Sequence, residues 1–417
     1  MSLIDKAVGA ATQALEEYKR ESEYPQPICK LVVDGTDITA AIEQRLDSIR
    51  LTDGRGMEAD TLDISLSDHD GALAIPPRGA KIELWLGWHT TGLVYKGSYT
   101  VDETEHSGAP DMISIRARSA DLRETLKTKR EQTWKDALLR EILGTIALRS
   151  GLDLKIEPSL GAQMIAHMDQ ANESDANIIT RLAEQFDAVI GVKAGCLICG
   201  ITGAGKTSSG LSLPHITLTR EDGDGHRFLQ ADRNSYSGVK AYYYEHNSAV
   251  KQEAIAGGGE NLKELRHTYS GKQSALHAAR SELTRLLRGT ATLSYRLAHG
   301  RPDLIPELTY SLIGVKDEID AITWLGSSLT HEFSSSGFTT SLELENQLPE
   351  LDDITELAEL SNDYTGVIAY YKDKDGKQQK MEKGDMTKPK RLGHLYATKA
   401  SAKKAVDREW AKLENKK

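Results

Sequence analysis

Hydrophobic and polar residues alternate with a period of two along most of residues 27–120. In "TLDISLSD", Leu62, Ile64 and Leu66 alternate with Asp63 and Ser65, and in "KIELWLGW", Ile82, Leu84 and Leu86 follow the same rhythm. "ICKLVVDGTDIT" runs through Val32-Val33 into Asp34-Gly35, a hairpin signal. "GLVYKGSYTVDETEH" and "DMISIRARSAD" complete a set of short segments punctuated by Gly, Pro and Asp. Successive strand side chains point to opposite faces, so the rhythm predicts consecutive antiparallel strands closing into a small barrel or sandwich over 27–128. The period then lengthens. After Thr133, read as an N-cap, Leu138, Leu139, Ile142 and Ile146 mark one face of a helix stopping near Gly151. A second helix is predicted from Ser174-Asp175, with Ile178, Ile179, Leu182 and Phe186 on its buried face. Strands resume in "AVIGVKAGCLICG" and "HITLTR", and again in "GTATLSYRLA", "ELTYSLIGV", "ITWLGSSLTHEFS" and "GFTTSLELENQL". At the N-terminus Leu3, Ala7, Ala11, Leu15 and Tyr18 recur at helical spacing, predicting a helix or packing arm over 1–26.

A stretch of pattern occurs twice. "YSGVKAYYYEHN" from Tyr236 returns as "YTGVIAYYKDKD" from Tyr364, and "LRHTYSGKQSALHAARSELTRL" from Leu265 returns as "LGHLYATKASAKKAVDREWAKL" from Leu392. Gly238, Val239, Ala241, Tyr242 and Tyr243 reappear as Gly366, Val367, Ala369, Tyr370 and Tyr371. His267, Tyr269, Ala275, Ala278 and Glu282 reappear as His394, Tyr396, Ala402, Ala405 and Glu409. A strand–strand–helix module has been duplicated. The fold class is therefore α+β and mainly β, with two tube-like antiparallel β-barrel domains, helices and this duplicated module. The predicted domains are an arm at 1–26, a first barrel at 27–128, and helices with a second barrel at 129–235 and 289–350. The first module is inserted at 236–288, an acidic linker spans 351–363, and the second module occupies 364–417.

Charge changes the picture of the C-terminal module. Residues 372–417 hold 15 Lys and Arg against 7 Asp and Glu, a net +8, so the chain's −10 leaves −18 on residues 1–371. An acidic body argues against general nucleic-acid binding, which rests on neutralising phosphates. No apolar run approaches the roughly 20 residues that span a bilayer, and the N-terminus lacks the pattern of a secretory signal. Three cysteines in 417 residues give no disulfide framework.

One string matches a nucleotide motif letter for letter. In "CGITGAGKTSSG", residues 199–210, Gly200, Gly205, Lys206 and Thr207 fit the P-loop. A P-loop works because a strand enters it and a helix leaves it, so that amides and the helix N-terminus face the anion. Here the next residues are "SSGLSLPHITLTR", where Gly210 and Pro214 interrupt any helix and the stretch beyond alternates as a strand. The glycines suit a hairpin connection in which Gly203, Gly205 and Gly210 take positive φ. The reading is a loop, and a P-loop NTPase is its rival. Cys196-x-x-Cys199 suggests redox or zinc chemistry, but residues three apart on a strand face opposite ways, which favours structural thiols. His267 and His394 stand just before predicted helices and read as structural. Asp352-Asp353 read as part of a solvated linker. Tyr242, Tyr243, Tyr370 and Tyr371 could stack on sugars, making a peptidoglycan- or polysaccharide-binding module a second rival; neighbouring tyrosines on a strand point both ways, so at least half belong to a core. No catalytic, cofactor-binding or metal residue is singled out.

Taken together, "ANIITRLAEQFDAVIGVKAGCLI", "GAGKTSSGLSLPHITLTR", the "LRHTYSGKQSALHAARSELTRLLRGTATLSYRLAHGRPDLIPE" run and "IDAITWLGSSLTHEFSSSGFTTSLELE" resemble the phage late control protein D family, the baseplate hub of contractile tails. The resemblance covers roughly residues 27–348. It implies a structural, non-enzymatic homotrimer whose paired barrels form a pseudo-six-fold ring between a three-fold central spike and a six-fold tail tube. Related hubs form the upper part of VgrG-type spikes and of contractile bacteriocins. The implied partners are the spike, the tail tube and tape measure proteins and the baseplate wedge, with no cofactor, no sequence-specific nucleic acid and no stable membrane insertion. The implied location is the virion tail baseplate, assembled in the host bacterial cytoplasm. The N-terminal arm and the second module are extra to that core.

Overall fold

The computed structural model describes residues 25–119, 124–193, 195–230, 236–244, 250–258, 261–349 and 364–414. The first 24 residues, most of the expected arm, and the acidic linker lie outside them. The alternating N-terminal region gives β1 (Pro27–Val33), β2 (Thr36–Asp37), β3 (Leu46–Gly54), β4 (Thr61–Ser67), β5 (Lys81–Trp88), β6 (Gly92–Ser107) and β7 (Met112–Ser119). They pair antiparallel in the order β3-β4-β7-β6-β5-β1-β2. The inward set of the alternation, including Ile49, Leu51, Leu62, Ile64, Ile82 and Leu84, fills one core.

The middle of the chain forms a separate layer. Here lie β8 (Lys129–Leu138), α1 (Leu139–Arg149), β9 (Asp153–Ile156), β10 (Met164–Ser174), α2 (Asp175–Phe186), β11 (Ala188–Lys193) and β12 (Cys196–Ile201). Ile142, Ile146, Ile178, Ile179 and Leu182 from the two helices pack with Ile190 and Leu197 into a second core. Ser174 caps α2 by accepting from the Asn177 amide at 3.2 Å, where the sequence placed its start. Thr133, expected to cap α1, instead lies within β8 and donates to Asp169 at 2.8 Å. Residues 129–138 alternate and bury Trp134, so they extend as a strand. The first turn of α1 is satisfied by Glu141, which accepts from the Leu138 amide at 2.9 Å.

The later strands return to the first sheet. These are β13 (His215–Thr219) and β14 (Gly223–Gln230) and, beyond the first module, β18 (Ala291–Leu297), β19 (Thr309–Ile313), β20 (Thr323–Ser334) and β21 (Gly337–Asn346). They surround a third core built on Leu293, Tyr295, Tyr310, Trp324, Leu342 and Leu344. The strands expected in two barrels thus run as one continuous sheet over two cores, in the order β14-β18-β21-β20-β3-β4-β7-β6-β5-β1-β2. The seam is β20. It pairs β21 along one edge, while its other edge holds β19 at residues 323–325 and β3 at residues 328–334. A bulge between Gly326 and Ser328 marks the change of partner.

The first module comprises β15 (Gly238–Tyr244), β16 (Lys251–Gly257), β17 (Leu262–Tyr269) and α3 (Lys272–Arg288); the second comprises β22 (Gly366–Lys372), β23 (Gln378–Gly384), β24 (Pro389–Tyr396) and α4 (Lys399–Glu414). Each copy holds one strand more than the repeated letters indicate. In both, the first strand is central, the second is antiparallel to it and the third parallel. The shared glycines have steric causes. A Cβ on Gly238 would meet the Ala256 carbonyl oxygen at 2.6 Å, and one on Gly366 the Asp385 carbonyl oxygen at 2.5 Å. Matched ion triads tie helix to sheet, Lys263–Glu282–Arg285 in one copy and Lys390–Glu409–Lys412 in the other. The two copies dock differently. In the first, α3 lies on α2, with the Ser281 hydroxyl donating to the Gln185 carbonyl at 2.7 Å. In the second, the edge of β24 meets residues 321–322 and 347: the Ala397 amide donates to the Ala321 carbonyl at 3.1 Å and the Leu395 amide to the Gln347 carbonyl at 3.3 Å.

Packing and burial at two of these places have measurable effects. Ala402 is fully buried between helix and sheet, so Ala402→Leu should cost about 1–3 kcal/mol through overpacking, read from a urea denaturation midpoint. In the seam, His331 is fully buried, bonded through Nδ1 to Thr340 Oγ1 at 2.9 Å. Burial holds its imidazolium well below the ordinary value, with Lys96 adding repulsion. Only the unfolded chain then takes up this proton near pH ~6.5, so the stability is fully present above that pH and lost as pH falls below it. Asp60, pushed up to about 6 by burial and by Asp53, acts in the opposite sense. The readout is therefore the difference between variant and parent: His331→Gln should lose less stability than the parent between about pH 7 and pH 5.

Candidate functional site

The string that matches a P-loop folds as a hairpin connection. β12 enters it at Ile201, and β13 leaves it at His215 without an intervening helix. Gly203, Gly205 and Gly210 have φ of 73°, 61° and 86°, the left-handed region for which glycine is suited. The loop satisfies its own backbone: the Thr207 amide donates to the Leu211 carbonyl at 2.8 Å and the Leu213 amide to the Gly205 carbonyl at 2.8 Å. The Gly203 amide donates to Glu307 Oε2 at 2.8 Å. The anion facing this loop is thus a side chain of the same protein, and Lys206 is exposed.

Glu307 belongs to a largely enclosed junction of charged side chains. Its Oε1 lies 2.5 Å from Arg55 Nε, and Arg55 Nη1 lies 2.6 Å from Glu345 Oε1. Arg288, at the end of α3, clasps Asp187 with both terminal nitrogens and approaches Glu345 at 3.4 Å. Burial pushes the Glu307 carboxyl above its ordinary value, while Arg55 pulls it down. Glu307 also holds a φ of 69°, uncommon for a residue with a side chain. The network continues through Gln347, whose Nε2 donates to the Gly203 carbonyl at 3.1 Å and whose Oε1 accepts from Lys372 at 3.3 Å. Sequence reasoning missed this junction, because its members are far apart in the chain. The hairpin and the Lys372–Gln378 turn of the second module face each other across a polar cleft of about 1270 Å³.

The other singled-out residues do not converge. Cys199 is fully buried, opposite Ile190 in the β11–β12 pair, and burial pushes its thiol up to about 12. Cys196 is partly exposed on the same strand. Among the described residues no group of three or more His, Cys, Asp and Glu is placed to hold a metal. His394 is half-buried and held below its ordinary value by desolvation, while His267 is exposed. Tyr243 and Tyr371 pack against the module cores, whereas Tyr242 faces outward with Lys251 Nζ 3.8 Å from its ring centre. Asp352 and Asp353 lie outside the described residues.

Residues 60–337 match the family model described as phage tail baseplate hub (GPD). The chain belongs to that family. A relative named "Probable baseplate hub protein" in Escherichia phage 186 is 41% identical over 367 residues, covering 78% of this chain and 94% of that protein. Its counterpart of the same name in Escherichia phage P2 is 41% identical over 370 residues, covering 79% and 96%. Among solved structures, the 43 kDa tail protein of prophage MuSo2 from Shewanella oneidensis aligns at a TM-score of 0.58 with 13% identity, over 76% of this chain and 98% of that one. A tail protein from Neisseria meningitidis MC58 aligns at 0.57 with 15% identity, over 80% and 100%. These two establish the fold; the family carries the role, that of a structural hub in the phage tail baseplate. The family match ends at residue 337, before the second module of this hub.

The Lys206 side chain is exposed, and the bridge that its residue makes to Ser212 is a backbone pairing that alanine keeps. Lys206→Ala should change stability by no more than about 0.5 kcal/mol, the usual range for a surface substitution. Titration with ATP should give no binding for either protein; saturable binding abolished by the substitution would restore the nucleotide reading.

Proposed function

We propose that three copies of this hub close a ring that joins a three-fold central spike to a six-fold contractile tail tube. One observation carries the reading: the sheet is open, with unpaired edges suited to meeting head to tail. At one end, among the described residues, β14 pairs only β18. Elsewhere β6 loses β5 after Thr100, leaving residues 103–107 paired on one side by β7 among the described residues. An exposed edge is a template for pairing, and joining β14 of one copy to β6 of the next removes both edges. Each chain also carries two cores on that sheet, so three chains present six similar units. Three is the number that satisfies both symmetries.

In this reading the hub is not an enzyme and uses no cofactor; its work is mechanical adaptation between tube and spike. Its partners are the spike, the tube and tape measure proteins and the wedge of the baseplate. The genome passes through the channel without sequence readout, and the tail assembles in the bacterial cytoplasm. The nucleotide rival lacks a helix after the loop, and of the tyrosines that the polysaccharide rival would use, Tyr243 and Tyr371 pack against the module cores.

Mass measurement of the hub co-expressed with its spike should give hub chains in multiples of three. The hub alone can remain monomeric if ring closure uses the spike as template. A hub that stays monomeric in the presence of both spike and tube sinks the reading.

A further inference from the structure

One corner of the first sheet carries a group of apolar side chains on its outer face. Leu84 and Leu86 of β5 point into the first core, and strand side chains alternate, so Trp85 and Gly87 face away from it. The register sets Ile28 of β1 and Leu93 of β6 on either side of Gly87, and Lys30 and Tyr95 on either side of Trp85. The rings of Trp85 and Tyr95 lie 4.9 Å apart, and Lys30 Nζ lies 5.2 Å from the Trp85 ring centre. Leu93 is 39% exposed and Tyr95 51%, while Ile28 and Trp85 are partly exposed. Single exposed apolar residues are ordinary on a protein surface, but an adjoining group is a candidate contact surface.

Gly87 gives the patch its shape. Neighbouring strands are about 4.8 Å apart, so Ile28 and Leu93 stand roughly 10 Å from each other across a position with no side chain. A Cβ there would collide with the Gly92 carbonyl oxygen, so the close approach of β5 and β6 keeps the position bare.

The chain enters the sheet at this same corner. The Gln26 amide donates to His89 Nδ1 at 3.1 Å, and the His89 amide to the Gln26 carbonyl at 3.0 Å. Residue 26 is thereby tied to the β5–β6 turn, and Ile28 follows it in the strand. Residues 1–24 lie outside the described residues. In their sequence Leu3, Ala7, Ala11, Leu15 and Tyr18 recur at helical spacing, which gives the segment one apolar side.

We propose that this patch is the docking site of residues 1–24 of the same chain. Tethering favours that occupant over a second copy or another protein. A short connection holds the segment near the patch at an effective concentration in the millimolar range, whereas a separate chain must reach it from solution. The ring edge of β6, residues 103–107, lies about ten residues along the strand from Leu93, roughly 30 Å away, so a docked segment leaves it open. The inference holds whether or not the ring forms.

Amide hydrogen exchange on the full-length protein, at several concentrations, tests this. A segment this short is marginal on its own in water, so protection of residues 1–24 reports docking. Peptides within 1–24 should be protected equally at every concentration. Leu93→Lys, a change at an exposed position, should speed their exchange about tenfold or more while residues 291–297 stay unchanged. Leu15→Asp gives the reciprocal readout without altering the sheet: hydroxyl-radical labelling of Trp85 and Tyr95 should rise. Rapid exchange of 1–24 at every concentration overturns the proposal. Protection that grows with concentration assigns the patch to a second copy, and protection that survives Leu93→Lys places the segment elsewhere; both also overturn it. Should Leu93→Lys disturb residues 291–297 as well, the labelling decides, and no rise with Leu15→Asp overturns the proposal.

Discussion

Five charged side chains that meet at one point, with Arg288 buried and the other four partly buried, hold the parts of this hub together. Arg55 comes from the loop after β3, Asp187 from the end of α2, Arg288 from the end of α3, Glu307 from the segment before β19 and Glu345 from β21. Each would be costly alone in a low-dielectric interior, and each is tolerated because the others are placed around it. Removing the partners of Arg288, the one fully buried member, would leave an uncompensated charge, a cost of up to about 3–5 kcal/mol. The set therefore acts less as a source of net stability than as a condition on geometry: the first sheet, the helical layer, the first module and the third core must all arrive together. The glycine hairpin is fixed to the same point through the Gly203 amide.

That hairpin shows how a motif and its chemistry separate. The letters of a P-loop describe a loop able to turn tightly and to point amides inward. Whether those amides meet a phosphate depends on the element that leaves the loop and on the group already facing it. Here a strand leaves, and a glutamate held by Arg55 faces it. Bringing a phosphate close would set a second anion against Glu307 in a poorly solvated place, and no helix N-terminus is present to offset the repulsion.

Local features were legible in the sequence and distant ones were not. Alternation of Leu62, Ile64 and Leu66 or of Ile82, Leu84 and Leu86 reports one buried face, and Ser174 ahead of Ile178 and Ile179 reports a capped helix; both are set by residues within a few positions. The same local signal misled at Thr133, because a capping residue type is also acceptable in a strand and Trp134 decided the matter. The seam between β20 and β3 joins residues about 280 apart, and no pattern within either strand names its partner. The junction was invisible for the same reason. β16 and β23 were missed because both are edge strands with weak patterns: β23 is mostly exposed, and β16 buries only the small side chains of Ala254 and Ala256. Their positions are specified by backbone pairing, which leaves the residue types free to diverge, while the central strands and helices keep Gly238 and Gly366, Ala275 and Ala402.

The different docking of the two modules stems from their size and surface. A sheet of three strands with one helix encloses only a small core, so each copy must bury a further face against something larger. The first copy buries the outer side of its helix, where Ser281 and His277 meet α2. In the second copy the corresponding positions are Arg408 and Lys404, long cations that resist burial against a helix. That face is consequently left to solvent, with Lys404 reaching Asp317 in an exposed pair, and the module docks through the edge of β24 instead. Exposed pairs of this kind contribute roughly 0–1 kcal/mol, so backbone pairing and the packing of Ala321 against the module core hold the second copy in place. Charge substitution on one helix face thus accompanies the change of docking surface in an otherwise matching module.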